Sequence, residues 1–311
     1  MMSSSPRVTQ SSVRTRTMAS LQRNLNKTQQ AQDQISSGKQ LNRPSDSPTG
    51  TVTALQLRGE VRANKKYSNN ADDAVGRLGV VQDNLQSSVE LLTVARNLTL
   101  EAKSGGQSTP EANKARAAQL EQIKGNLVQF ANSKYLDRPV FGGSTPDASA
   151  YDTGGRYVGE EAGETLRAIG PNAKVRVDVR GPEVFGDDQV DDGNGNKVDN
   201  PTQMFRVLDN IIDAMKSGDA DAMDTGLQNL DKASDLVKST LSDVGARYNR
   251  VTQMKQSAED RLMSVSSQLS DIEDVDLPKA IMELQLQQTS YQAALAATAK
   301  VIQPSLIDFL R

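Results

Sequence analysis

The chain has 311 residues, 36% hydrophobic and 4% aromatic with no Trp, too few large apolar side chains for one big compact core but enough for thin, elongated layers. Lys and Arg number 36 against 39 Asp and Glu, a balance that argues against nucleic acid or an anionic membrane as main partner. The absence of Cys and His removes disulfides, thiolate nucleophiles, the usual zinc sites and the commonest general base, and no apolar run is long enough to span a bilayer.

The first 32 residues contain no acid but carry Arg7, Arg14, Arg16, Arg23 and Lys27. Residues 1–17 hold almost no apolar side chains and are expected to be disordered in a free subunit. No apolar stretch follows the basic residues, so this is not a secretory leader. A helix is predicted from about Thr15 to Ser37, with a seam at Met18, Leu21, Leu25, Thr28, Gln32 and Ile35, ending at Gly38. After a turn-rich loop from Asn42 to Ser47, Ser47 caps a helix that opens on Pro48 and runs to about Ser104. Along it Ala71, Ala74, Leu78, Val81, Leu85, Ser88, Leu92, Ala95, Thr99 and Ala102 alternate steps of three and four. Gly105-Gly106 breaks the helix, and Thr109-Pro110-Glu111 starts another with Leu120, Ile123, Leu127 and Phe130 on one face.

From Val140 to about Asn200 helical periodicity disappears. Val175, Val177 and Val179 alternate with charged residues as a half-buried strand does, and Tyr157-Val158 fits a second strand. Helix resumes after Asn200-Pro201, with Met204, Leu208, Ile211 and Met215 on one stripe. A turn at Lys216 to Asp219 leads into the strongest signal in the chain. Met223, Leu227, Leu230, Ser234, Val237, Leu241, Val244, Tyr248, Val251, Lys255, Ala258, Leu262, Val265, Leu269 and Ile272 keep one 3–4 alternation, interrupted only by Ser234 and Lys255. A repeat averaging about 3.5 residues marks a helix whose seam faces another helix throughout, here for roughly 75 Å. A charge at Leu262 is expected to be costly and a change at Lys255 tolerated. An acidic stretch from Asp271 to Asp276 separates this helix from a last one carrying Ile281, Leu284, Gln288, Tyr291, Leu295, Thr298 and Ile302, ended or kinked by Pro304.

The seams imply a mainly α fold: an elongated antiparallel helical bundle or coiled-coil rod built from both chain ends, with a small β-rich insert. Residues 1–47 and 275–311 form the expected terminal helical assembly domain. Residues 48–137 and 203–274 form the rod, and 138–202 the outer insert. The rod seam pairs Leu78, Val81, Leu85 and Leu92 with Leu241, Val244, Tyr248, Val251, Leu262 and Leu269.

Chemistry-bearing patterns are weak. Asp192, Asn194 and Asn196 mimic the start of a calcium loop, but Lys197 stands where glycine is needed and Gln203 where a bidentate carboxylate is needed. A hairpin turn at Asn194-Gly195 is simpler. Phe141-Gly142-Gly143-Ser144 lacks the Lys and spacing of a phosphate loop. No catalytic residue, cofactor site or metal site emerges. The last helix is different. Its apolar residues cover nearly the whole circumference, and Leu306, Ile307, Phe309 and Leu310 extend them. A helix apolar all round must be covered, so Ile281, Leu284, Tyr291, Leu295, Ile302, Leu306, Phe309 and Leu310 are read as a surface shielded by other copies, or by another protein before assembly.

Gln34-Ile35-Ser36-Ser37-Gly38-Lys39-Gln40-Leu41-Asn42 with Pro44-Ser45-Asp46-Ser47-Pro48, the long helix from Asn84 to Ala102, Gly245-Ala246-Arg247-Tyr248-Asn249-Arg250 and Ile272-Glu273-Asp274-Val275-Asp276 together resemble the bacterial flagellin superfamily. The resemblance covers about residues 15–140 and 203–311, while the insert resembles nothing recognisable. Tyr135-Leu136 followed by Phe141-Gly142-Gly143, with Ser290 to Thr298 and Ser305 to Leu310, is closer to a hook–filament junction subunit of that superfamily than to its filament subunit. The terminal Leu310-Arg311 is closer to many flagellins. The resemblance implies a non-enzymatic structural protein, exported unfolded by the flagellar type III pathway to the extracellular flagellum. It further implies a homo-oligomeric ring seated on hook-associated protein 1 and capped by flagellin, with a cytoplasmic export chaperone masking the C-terminal helix.

Overall fold

The computed structural model describes residues 10–104, 109–145, 149–160, 163–193 and 195–302. Among the described residues seven helices carry the fold: α1 Gln10–Ser37, α2 Pro48–Lys103, α3 Pro110–Ala131, a short α4 Gly181–Phe185, α5 Met204–Ser217, α6 Ala220–Glu273 and α7 Leu277–Ile302. Contacts divide the chain into a terminal unit, residues 1–62 with 262–311, and a central unit, residues 63–261.

The helix ends follow local chemistry. Gly38, at φ 70°, supplies the left-handed residue that stops α1. Ser47 Oγ accepts from the Gly50 amide (3.1 Å) where α2 begins at Pro48. Thr109 Oγ1 accepts from the Ala112 amide (3.2 Å) one residue before Pro110 opens α3. Gly218, at φ 75°, ends α5, and Asp219 Oδ1 then accepts from the Ala222 amide (3.0 Å) at the start of α6.

In the central unit α2 and α6 run antiparallel with a fixed register. Asp72 meets Lys255 (2.7 Å), Gly79 faces the Tyr248 ring, Arg96 meets Asp231 (2.7 Å) and Lys103 meets Asp224 (2.5 Å). Each step forward on α2 is matched by an equal step backward on α6, as two straight helices require. All ten expected seam positions of α2, from Ala71 to Ala102, are buried. On α6 the burial is unequal. Met223, Leu230, Val237, Val244, Val251, Ala258 and Val265, spaced by seven, are buried. In the other set Leu227 is buried, while Ser234, Leu241, Tyr248, Lys255, Leu262 and Leu269 are half-buried. One heptad position points into the contact and its companion lies along the edge. The expected contrast between Leu262 and Lys255 changes accordingly: Leu262 sits at the edge, and Lys255 holds an ion pair.

α3 and α5 pack on each other beside this pair. Leu120, Ile123 and Leu127 lie buried with Leu208, Ile211 and Met215, flanked by Lys124–Asp209 (2.7 Å) and Lys216–Glu121 (2.6 Å). Gly226 of α6 makes room for Ile211, since a Cβ there would come within 2.5 Å of its side chain.

The insert holds few strands. β1 Lys134–Tyr135 pairs with β2 Arg138–Pro139, β3 Leu166–Ala168 with β4 Lys174–Arg176, and β5 Gln189–Asp191 with β6 Lys197–Asp199, all antiparallel. The valine alternation enters β4 only at Val175. Val177 and Val179 are buried beyond the ladder, and Tyr157 makes a single bridge to Tyr151. Phe141, Tyr151, Phe185 and Phe205 hold the segment together, with ring centroids 5.3–5.5 Å apart. This aromatic cluster is continuous with the apolar core of α2, α3, α5 and α6.

Candidate assembly surface

Two of the motifs, from opposite ends of the chain, meet at one joint in the terminal unit. The Gln40 amide donates to the Glu273 carbonyl (2.7 Å) and the Val275 amide to the Gly38 carbonyl (3.0 Å), forming a bridge between Lys39 and Asp274. The Glu273 side chain is buried and receives Lys39 Nζ at 3.1 Å and Arg58 Nε at 2.5 Å. The hydrogen bond from Arg58, joined by Lys39, holds the Glu273 carboxyl below its ordinary value against the opposing effect of burial. Asp46 accepts from the Asn42 (3.2 Å) and Arg43 (2.8 Å) amides, which fixes the loop leading into α2. The turn from α1 to α2 is thereby fastened to the turn from α6 to α7. The sequence shows each half of this joint; only folding brings Lys39, Arg58 and Glu273 together.

Beyond the joint α1 packs against α7, by only part of the expected seams. On α1, Met18 (60% exposed), Leu25 (43%) and Gln32 face outward, whereas Thr17, Leu21, Asn24, Thr28 and Ile35 are half-buried and Ala31 is buried. On α7, Ile281 (45%) and Leu295 (44%) face outward with Gln288, whereas Leu284, Gln287, Tyr291, Ala294 and Thr298 are half-buried and Ala280 is buried. In each helix half of the anticipated seam is kept and the other half is displaced by one residue. At the displaced positions Thr17, Asn24, Ala31, Ala280, Gln287 and Ala294 take the inner places, while Met18, Leu25, Ile281 and Leu295 turn to the surface. Two of the polar inner groups are satisfied locally: Thr28 Oγ1 donates to the Asn24 carbonyl (2.9 Å) and Thr298 Oγ1 to the Ala294 carbonyl (2.7 Å).

The outcome is a terminal unit with its grease outside. Met18, Leu25, Val52, Leu55, Met263, Leu277, Ile281, Met282, Leu286 and Leu295 are all exposed. The side chain of Ile302 and all of Leu306, Phe309 and Leu310 lie outside the described residues. In the central unit the rod-seam residues Leu78, Val81, Leu85, Leu92, Val244 and Val251 are buried, and their packing leaves them no outward role.

The insert offers no comparable surface. A polar groove of about 820 Å³ runs past Arg156, Arg180, Asp187, Asp188, Lys197 and Arg206, but its Arg180 is paired with Glu183 (2.5 Å) and Arg206 with Asp199 (2.6 Å). Asp192 accepts from Asn196 within the β5–β6 hairpin, and Asn194 lies outside the described residues. Phe141 is a core residue and the glycines after it form a turn closed by the Thr145 amide on the Gly142 carbonyl (3.2 Å).

Residues 8–138 match the bacterial flagellin N-terminal helical region, and residues 227–310 match the bacterial flagellin C-terminal helical region. The flagellar hook-associated protein 3 of Escherichia coli (strain K12) is 26% identical over 283 residues, covering 85% of this chain and 87% of that protein. A flagellin of Bacillus subtilis (strain 168) is 23% identical over 301 residues, covering 92% and 93%. Among solved structures, the flagellar junction protein FlgL from Legionella pneumophila superposes with a TM-score of 0.56 at 15% identity, over 71% of this chain and 99% of that one.

Proposed function

Since the chain belongs to the bacterial flagellin family by both its terminal regions, we propose that it is the structural subunit joining the flagellar hook to the filament. On this reading it is not an enzyme. Its terminal domain, residues 1–47 and 275–311, assembles side by side with other copies into a ring on hook-associated protein 1, and flagellin polymerises on that ring. A cytoplasmic chaperone covers the same terminal helix before export, and the assembled protein lies in the extracellular flagellum.

The observation that carries the proposal is the large apolar surface that α1 and α7 leave exposed after packing on each other. Two helices that pack through Leu21, Ile35, Leu284 and Tyr291 together with Thr, Asn, Gln and Ala, while exposing Met18, Leu25, Ile281, Met282, Leu286 and Leu295, keep a large apolar surface for neighbours outside their own chain. The similarity to hook-associated protein 3 along most of both chains selects the junction within the family. A filament subunit is the second reading, favoured by the Bacillus subtilis flagellin matching 92% of the chain.

Deleting the coding sequence from its bacterium separates the two. Loss of a junction subunit leaves hooks intact while unpolymerised flagellin collects in the medium, and resupplying the chain restores filaments. If the medium instead lacks flagellin monomer, the chain is the filament subunit. A chain truncated before residue 278 is expected to be stable in its central unit yet unable to restore filaments; full restoration would remove the assembly role of α7.

A further inference from the structure

The chain has no Cys, so methionine is its one readily and reversibly oxidised side chain, and the methionines are sorted by position. Met204, Met215 and Met223 in the central unit are at most 2% exposed, and Met254 is packed against the core. Met18, Met263 and Met282 are 60%, 72% and 64% exposed, and all three belong to the terminal unit. Met18 and Met282 stand on the outward sides of α1 and α7, among the apolar residues that the proposed assembly covers. A flexible thioether suits such a contact while reduced. Before assembly it is open to any peroxide in the surroundings.

We propose that Met18 and Met282 are modification sites at which oxidation to methionine sulfoxide blocks assembly of the subunit, an inference that rests on the assembly reading above. In the step, a sulfur lone pair attacks one oxygen of hydrogen peroxide. An S–O bond forms, the O–O bond breaks and water leaves, so sulfur is oxidised by two electrons and the peroxide reduced. The sulfinyl oxygen is a strong acceptor. Enclosed between apolar helices without a donor, it weakens association by roughly tenfold per site. Once subunits have assembled, Met18 and Met282 are covered and their oxidation slows, so their sensitivity is confined to the free subunit.

The test uses the full chain and an M18L/M282L variant, which keeps Met1, Met2, Met263 and the four central methionines. Each is treated with hydrogen peroxide, mapped by peptide mass spectrometry, and compared with its own untreated sample for self-association by sedimentation velocity. Met18, Met263 and Met282 are expected to oxidise well before Met204, Met215 and Met223. Peroxide should weaken association of the parent by a hundredfold or more, with recovery after methionine sulfoxide reductase, while the variant loses less than threefold. Equal oxidation rates at exposed and buried positions, or equal peroxide losses in parent and variant, overturn the proposal and leave the assembly reading standing. If neither untreated protein self-associates at any concentration, both fall.

Discussion

Truncation of the seam tests the register of α2 on α6 most directly. Leu85 lies at the centre of the contact with no exposed surface, whereas Leu241 occupies the edge heptad position of α6 and is half-buried. Both belong to the central unit, so both are read by the same unfolding transition. Replacing a fully buried Leu by Ala removes its transfer free energy and leaves a cavity, about 3 kcal/mol where the surroundings are long helices that cannot collapse inward. Leu241→Ala should cost roughly half of that, because the edge side chain already meets water on one side and leaves a smaller void. For a unit of this size about 1 kcal/mol shifts the melting temperature by about 2–4 °C, so Leu85→Ala should melt about 6–12 °C below the parent. Thermal melts followed by helical circular dichroism, with urea titrations as a check, give both values. Equal losses at the two positions would mean that neither heptad set is central, and the register read from the ion pairs would be wrong.

At Lys255 the ion pair with Asp72, and a second contact to Glu259, predict an order rather than a large loss. Lys255→Gln should be nearly neutral and Lys255→Glu clearly destabilising, with the difference shrinking as salt is added; the same melting temperature for both variants would refute it. Glu273 has its carboxyl held below the ordinary value in the folded chain, so the stability it contributes is present above the unfolded carboxylate range and is lost as pH falls through its folded value. The protection factors for hydrogen exchange at the Gln40 and Val275 amides, which close the joint, should therefore fall on acidification in the parent, and in Glu273→Gln they should be low already at neutral pH. Unchanged protection in that variant would show that the backbone bridge holds the joint alone. Gly226→Ala drives a methyl into Ile211 and should cost about 1–3 kcal/mol in urea unfolding, whereas Gly245→Ala, open on the surface of the same helix, should stabilise slightly.

The long helices were legible because their signal is local. A 3–4 alternation of Leu, Val and Ala states which side of α2 and α6 must leave water, wherever the partner lies, and Ser47-Pro48, Thr109-Pro110 and Gly218 mark helix ends by bonds within a few residues. The inner face of α1 and α7 was only half legible by the same rule. Hydrophobicity placed Leu21, Ile35, Leu284 and Tyr291 inside, but at alternate turns it pointed to Met18, Leu25, Ile281 and Leu295 where Thr17, Asn24, Ala31, Ala280, Gln287 and Ala294 face inward instead. The joint of Lys39, Arg58 and Glu273 was equally hidden, since no pattern within either segment states that residues more than two hundred positions apart will share one carboxylate. In the insert the valine alternation predicted more strand than forms, because its order comes from four aromatic rings dispersed along the chain. Local periodicity thus set which surfaces are greasy; tertiary packing decided which of them are spent inside the subunit and which remain for its neighbours.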